Sequence, residues 1–158
     1  MSQQQQTVFF EDFKIGQEDH FGRYEVTRDE VIDFARRYDP QPFHVDDEAA
    51  RSSLFGGLCA SGWHTCAMTM RMMVDHMKEN GVASLGSPGV DEIRWLQPVF
   101  PGDVLSVQMK ITNTRRLKSR PEIGNIQSDY TVLNQKGEPV LTFKSNGFFA
   151  ARSAGDSI

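Results

Sequence analysis

The chain has 158 residues, the size of one ordinary domain, with room for a core but not for two of them. Apolar residues make up 39% and charged residues 24%, a soluble globular composition. The net charge of −4 contains no cationic block, so no nucleic-acid surface is predicted, and no segment approaches the ~20 apolar residues of a membrane span.

Residues 1–7 and 153–158 read as flexible ends of a single domain spanning 8–152. The N-terminal Gln run lacks an apolar signal region, so a cytoplasmic location is expected. Gly16 and Gly22 punctuate the approach to a short strand at Tyr24–Val26. Thr27 and Glu30 then form a capping box, and Val31, Phe34 and Ala35 give the helix it opens one apolar face. Pro40 stops that helix and Pro42 prevents its recovery. Asp46 caps a second short helix containing Ala49 and Ala50. After Gly56-Gly57 comes the longest helix, from Ser61 to Asn80, closed by Asn80-Gly81. Its apolar residues, from Ala67 to Met77, cover most of the circumference, which predicts central burial. Cys59 and Cys66 flank its start with neither a zinc spacing nor a disulfide framework, and are expected to be reduced, packed thiols.

Beyond Gly81 the pattern changes to strands at 90–96, 104–114, 125–133 and 140–149, with turns at 98–103 and 134–138. Helices first and antiparallel strands after define an α+β class. A sheet curled round one buried helix accommodates both halves, although periodicity does not choose it over other α+β arrangements.

The most informative stretch is Tyr38-Asp39-Pro40-Gln41-Pro42-Phe43-His44. Two prolines are expected to hold the backbone extended and stiff between an acid and an imidazole, as a site of fixed geometry requires. Such a pair can activate a water and deliver a proton, the needs of adding water across a polarised double bond. On spacing alone a plainer account is favoured, in which Asp39 ends a helix and His44 makes a packing hydrogen bond. Ser61-Gly62-Trp63 shifts the balance. A helix N-terminus presents unpaired N–H groups with partial positive charge, and glycine admits a carbonyl close to the backbone. The amide of Gly62 or Trp63 can therefore act as an oxyanion hole for enolate charge.

Asp39, Pro42, His44, Asp46 and Ala49 match the hydratase motif, and the match continues through Phe55-Gly56, Ser61-Gly62, 94–99 and 101–105. On these residues the chain resembles the MaoC-like dehydratases and (R)-specific enoyl-CoA hydratases. The resemblance implies a single hot-dog fold, an antiparallel sheet wrapped around a central helix. It implies Asp39 and His44 as the catalytic pair, with Gly62 supplying the oxyanion amide. It implies reversible hydration of a trans-2-enoyl-CoA to a 3-hydroxyacyl-CoA of (R) configuration, with no metal or redox cofactor. It also implies a homodimer, or a higher oligomer of dimers, with an acyl tunnel at the subunit interface. Gln41, Phe43, Ser61, Trp63 and Arg94 are the residues expected to contact the substrate. Two departures stand out: Gln41 replaces the family's Asn, and Ser61 replaces its common His.

Two other functions fit the same fold. A thioesterase usually carries its acid on the central helix, which here offers only Asp75 and Glu79 near its far end. A non-catalytic acyl-thioester binding protein accounts for a pocket but not for an acid and a histidine on one rigid loop. A metal held by His44, Asp46 and His64 has no recognisable ligand spacing, and His64, His20 and His76 are expected to be satisfied or surface residues. The Met-rich stripe reads as core in preference to an acyl tunnel. Arg115, Arg116, Lys118 and Arg120 are candidates for coenzyme A phosphates but sit near a predicted hairpin tip. Arg94 lies among strand apolars, where a buried carboxylate partner explains it equally well.

Overall fold

The computed structural model describes residues 6–153, so most of the two expected flexible ends lies outside the described residues. After one 3-10 turn at Phe10–Asp12 the elements run β1 (Glu18–Glu25), α1 (Arg28–Tyr38), α2 (Pro42–Val45), α3 (Asp47–Arg51), α4 (Gly62–Glu79), β2 (Ser84–Trp95), β3 (Val104–Arg116), β4 (Ile123–Leu133) and β5 (Pro139–Ala150). The five strands make one antiparallel sheet in the order β1-β3-β4-β5-β2.

Alternation along β3 and β4 turns Leu105, Val107, Ile111, Ile126 and Val132 inward. Met68 and Met72 of α4 join them in the core, with Val26, Val31, Val99, Val140 and Leu141. Burying side chains of this size contributes roughly 1.5–3 kcal/mol each. Helix α4 packs against β1, β3 and α1. At Gly22 the approach to α4 is so close that a Cβ would stand 2.6 Å from Met72 Sδ. A sheet curled over one long helix in this strand order is the hot-dog arrangement.

Three local expectations change. Strand β1 begins at Glu18 and β2 at Ser84, well before the strands read from the sequence. The missed parts contain Gly22 and Gly86-Ser87-Pro88-Gly89, whose glycines and proline read as breakers. An edge strand tolerates them because one row of its N–H groups has no ladder partner to serve. The Asp39–His44 loop is not extended throughout: Pro42 opens the helical turn α2 at its N1 position, where its fixed φ suits a helix and its missing N–H costs nothing. Helix α4 is covered on one side only within the chain, leaving Trp63 and Met70 exposed.

Candidate active site

Asp39 caps the C-terminus of α1, its N–H donating to Ala35 O at 2.8 Å. The N–H of Gln41 reaches back across Pro40 to Asp39 O at 2.8 Å, a tight turn that redirects the chain into α2. His44, in the last turn of α2, is only 5% exposed. Its Nδ1 lies 2.7 Å from Cys59 O. A carbonyl oxygen can only accept, so Nδ1 carries a proton, and in the neutral form of the ring the lone pair is on Nε2. That Nε2 stands 3.4 Å from Asp39 Oδ2. Phe43 packs edge-on to the imidazole at 4.5 Å and against Phe55 at 5.2 Å, which fixes the ring plane.

The carboxylate is held by two donors. Ser61 Oγ donates to Oδ2 at 2.7 Å and Gln41 Nε2 to Oδ1 at 2.7 Å. Burial by itself pushes the Asp39 carboxyl up, but these hydrogen bonds, and the charge of His44 when its ring is protonated, hold it below its ordinary value. Ser61 is fully buried and leads directly into α4. Thr65 N–H makes the first intrahelical bond, to Ser61 O at 3.0 Å. The amides of Gly62, Trp63 and His64 precede it and point out of the helix end. Gly62 is glycine for a steric reason as well: an added Cβ would meet the Trp95 ring at 2.5 Å, and the Trp95 indole donates to Gly62 O at 2.9 Å.

The structure thus brings Asp39, His44, Gln41, Ser61 and Gly62 together, with Phe43 behind the imidazole. Trp63 is exposed and meets Trp95 edge to face at 5.1 Å. Arg94 is exposed on β2, with its guanidinium donating to Ile93 O, and has no carboxylate partner among the described residues. Of the other cations, Arg116 is tied to Glu11 and to Pro121 O. Two participants escaped the sequence reading. The Cys59 carbonyl is a backbone group without a residue signature, and Trp95 meets Gly62 only through the fold.

Of the remaining histidines, His20 and His76 are the surface or satisfied residues expected, whereas His64 is not. His64 is buried with its ring flat on Phe34 at 4.6 Å and its Nε2 3.5 Å from Glu30, while Nδ1 has no partner. Burial pushes its pKa down, with the Glu30 contact opposing. His76 is bonded to Asp19 and His20 to Ser106. Burial likewise pushes the Cys59 thiol up to about 11, and Cys66 is raised for the same cause; both are free.

A cavity of about 710 Å³ lies between α4 and the sheet, from Trp63 in the first turn to Asn80 at the last. Met70, Met73 and Met77 line it, whereas Met68 and Met72 belong to the core, so the methionine stripe serves both purposes. Among the described residues no helix is long and apolar enough to cross a membrane.

Residues 12–132 match the MaoC like domain family, which is most of the chain. The chain belongs to the MaoC-like family. A solved MaoC-like dehydratase from Rhodospirillum rubrum is 38% identical, with a TM-score of 0.82 over 92% of this MaoC-like chain and 99% of that one. The unliganded (R)-hydratase PhaJ1 of Pseudomonas aeruginosa shares the fold at 19% identity, with a TM-score of 0.68 over 93% of this chain and 88% of that one. The uncharacterized protein YdeM of Bacillus subtilis (strain 168) is 28% identical over 126 residues, 80% of this chain and 87% of that protein.

Proposed function

We propose that this protein is a hydro-lyase that reversibly adds water to a trans-2-enoyl-CoA, giving the (R)-3-hydroxyacyl-CoA. The observation that carries this reading is one contact: His44 Nε2, bearing a lone pair, 3.4 Å from an Asp39 carboxylate at the open amide end of α4. Membership of the MaoC-like family supports it.

A water seated against both groups gives a proton to His44 Nε2 as its oxygen bonds to C3 of the enoyl chain. The electron pair of the double bond moves toward the thioester oxygen, where the Gly62 amide stabilises the enolate. The imidazolium so formed is held by Asp39, then returns its proton to C2 from the same face, so addition is syn. Cys59 O fixes the tautomer throughout. No metal or redox partner is needed for this balance. Arg94, exposed on β2, is available to the phosphates of coenzyme A. The proposed assembly is a homodimer, or a set of dimers, joined along β2.

Loss of enoyl absorbance on adding enzyme, without release of free thiol, is the expected result. Asp39→Asn and His44→Ala should each lower kcat at least about a hundredfold while the protein stays folded and binds acyl-CoA. Thiol release without hydration, or near-normal turnover in either variant, refutes the reading.

A further inference from the structure

The large cavity is mainly apolar but has a polar band on its sheet wall, and the hydration chemistry uses none of it. On the sheet, Ser128 and Ser145 are cross-strand partners in β4 and β5, and both line the cavity. Tyr130, two residues after Ser128, faces the same way and stacks on Phe143 at 4.9 Å. Its hydroxyl is hydrogen-bonded to Ser145, and burial pushes it up to about 12. Ser128 itself is only 5% exposed, at a depth where strand positions facing a helix are normally aliphatic.

The opposite wall is polar too, but already paired. His76 Nε2 is 2.6 Å from Asp19 Oδ2, its ring lies flat on Phe21 at 4.0 Å, and Asn80 Nδ2 donates to its Nδ1 at 3.2 Å. The Asn80 donation places the histidine proton on Nε2, directed at Asp19. This dyad therefore offers no free donor to a ligand, while it brings a carboxylate to the cavity wall. Among the described residues no Lys or Arg lines the cavity.

These features discriminate between chain types. Tyr130 and Ser145 already bond to each other, but a plain alkyl chain laid over the band gives no partner to the Ser128 hydroxyl or to the hydrogen-bonding capacity that remains on that pair. A chain ending in a carboxylate enters beside Asp19 with no cation to receive it. A neutral hydroxyl satisfies both conditions, since it can donate and accept. The band lies well along the cavity: Thr69 and His76, which line it on α4, are roughly 10 and 21 Å from Gly62 along the helix axis.

Resting on the reading of an acyl thioester as substrate, we infer that this cavity selects acyl chains carrying a neutral hydroxyl toward their far end, held by Ser128, Tyr130 and Ser145. The three are specificity residues, remote from the bond that reacts.

The test is calorimetric titration of the intact protein with three saturated acyl-CoAs of matched medium length, bearing a methyl, a hydroxyl or a carboxylate at the far end. The hydroxyl form should bind roughly tenfold more tightly than the methyl form, the worth of one well-made hydrogen bond, and the carboxylate form most weakly. Tyr130→Phe, and separately Ser128→Ala, should each shrink the ratio between hydroxyl and methyl forms. The wild-type ranking needs no variant, so a misfolded variant does not spare the inference. Equal or tighter binding of the methyl or carboxylate form overturns it, as does a ratio unmoved by both substitutions. Binding is read apart from turnover, so a hydroxyl preference without hydration fails the proposed reaction alone. Hydration without that preference fails this inference alone.

Discussion

Ser61 is where the site's electrostatics and its architecture meet. Its hydroxyl gives one hydrogen bond to Asp39, and its backbone begins α4. Because Asp39 is held below its ordinary carboxylate value, it stays ionised as the pH falls, further into acid than a free aspartate would. Removing a donor to the charged form must raise that pKa. Ser61→Ala should therefore move the acid limb of the kcat/KM profile to higher pH, and Ser61→Thr, which keeps a hydroxyl, should move it back. The same linkage acts on stability: the contribution of Asp39 is complete above its unfolded pKa and is lost as pH drops through the lower folded value. An unshifted acid limb in Ser61→Ala would mean that Gln41 alone carries the effect. At this scale the pairing of Asp39 with His44 was legible, because an acid and an imidazole on one short loop have few other uses, whereas the bond from Ser61 to Asp39 joins two segments and was not. The tautomer of His44 was not legible, since it depends on the backbone oxygen of Cys59, fifteen residues away.

At the scale of elements, the contact between the first turn of α4 and the end of β2 sets the position of the amide donors. Trp95 both covers Gly62 and hydrogen-bonds its carbonyl, leaving no room for a methyl group. Gly62→Ala should cost roughly 1–3 kcal/mol by overpacking, seen as a lower midpoint in chemical denaturation. In a Trp95→Ala background the same change should cost clearly less, a coupling that a double-mutant cycle measures. If the two costs simply add, the ring does not restrain the helix end. The helices and the three inner strands were readable because caps, prolines and apolar alternation agree there. Strand β2 was half hidden, since Gly86, Pro88 and Gly89 obey edge rules and not those of a central strand. The turn α2 was hidden for a related reason: Pro42 terminates a helix that arrives and equally begins one that follows.

For the whole molecule, the open question posed by the fold is its second edge. Strand β2 leaves Leu85, Val90 and Trp95 exposed, with Leu96 just beyond it, beside a helix whose Trp63 and Met70 are also uncovered. Soluble chains seldom expose an apolar edge of this kind without a use for it. Light scattering should give twice the 17.9 kDa chain mass, and Val90→Lys should shift the protein to the monomer. A wild-type monomer would count against assembly along β2. Which strands become neighbours, and that Asp19, His76 and Tyr130 would gather round one cavity, could not be read from local pattern. Those groups come from β1, α4 and β4, and only the completed sheet brings them within reach.

The two tryptophans of the chain are Trp63 and Trp95, and they meet as a single edge-to-face pair. One of them lines the cavity while the other is bonded to Gly62. The tryptophan fluorescence of the protein is consequently emitted from one spot, beside the first amides of α4. An unlabelled ligand sliding past that pair changes its polarity and its quenching, so the protein carries its own optical gauge of occupancy.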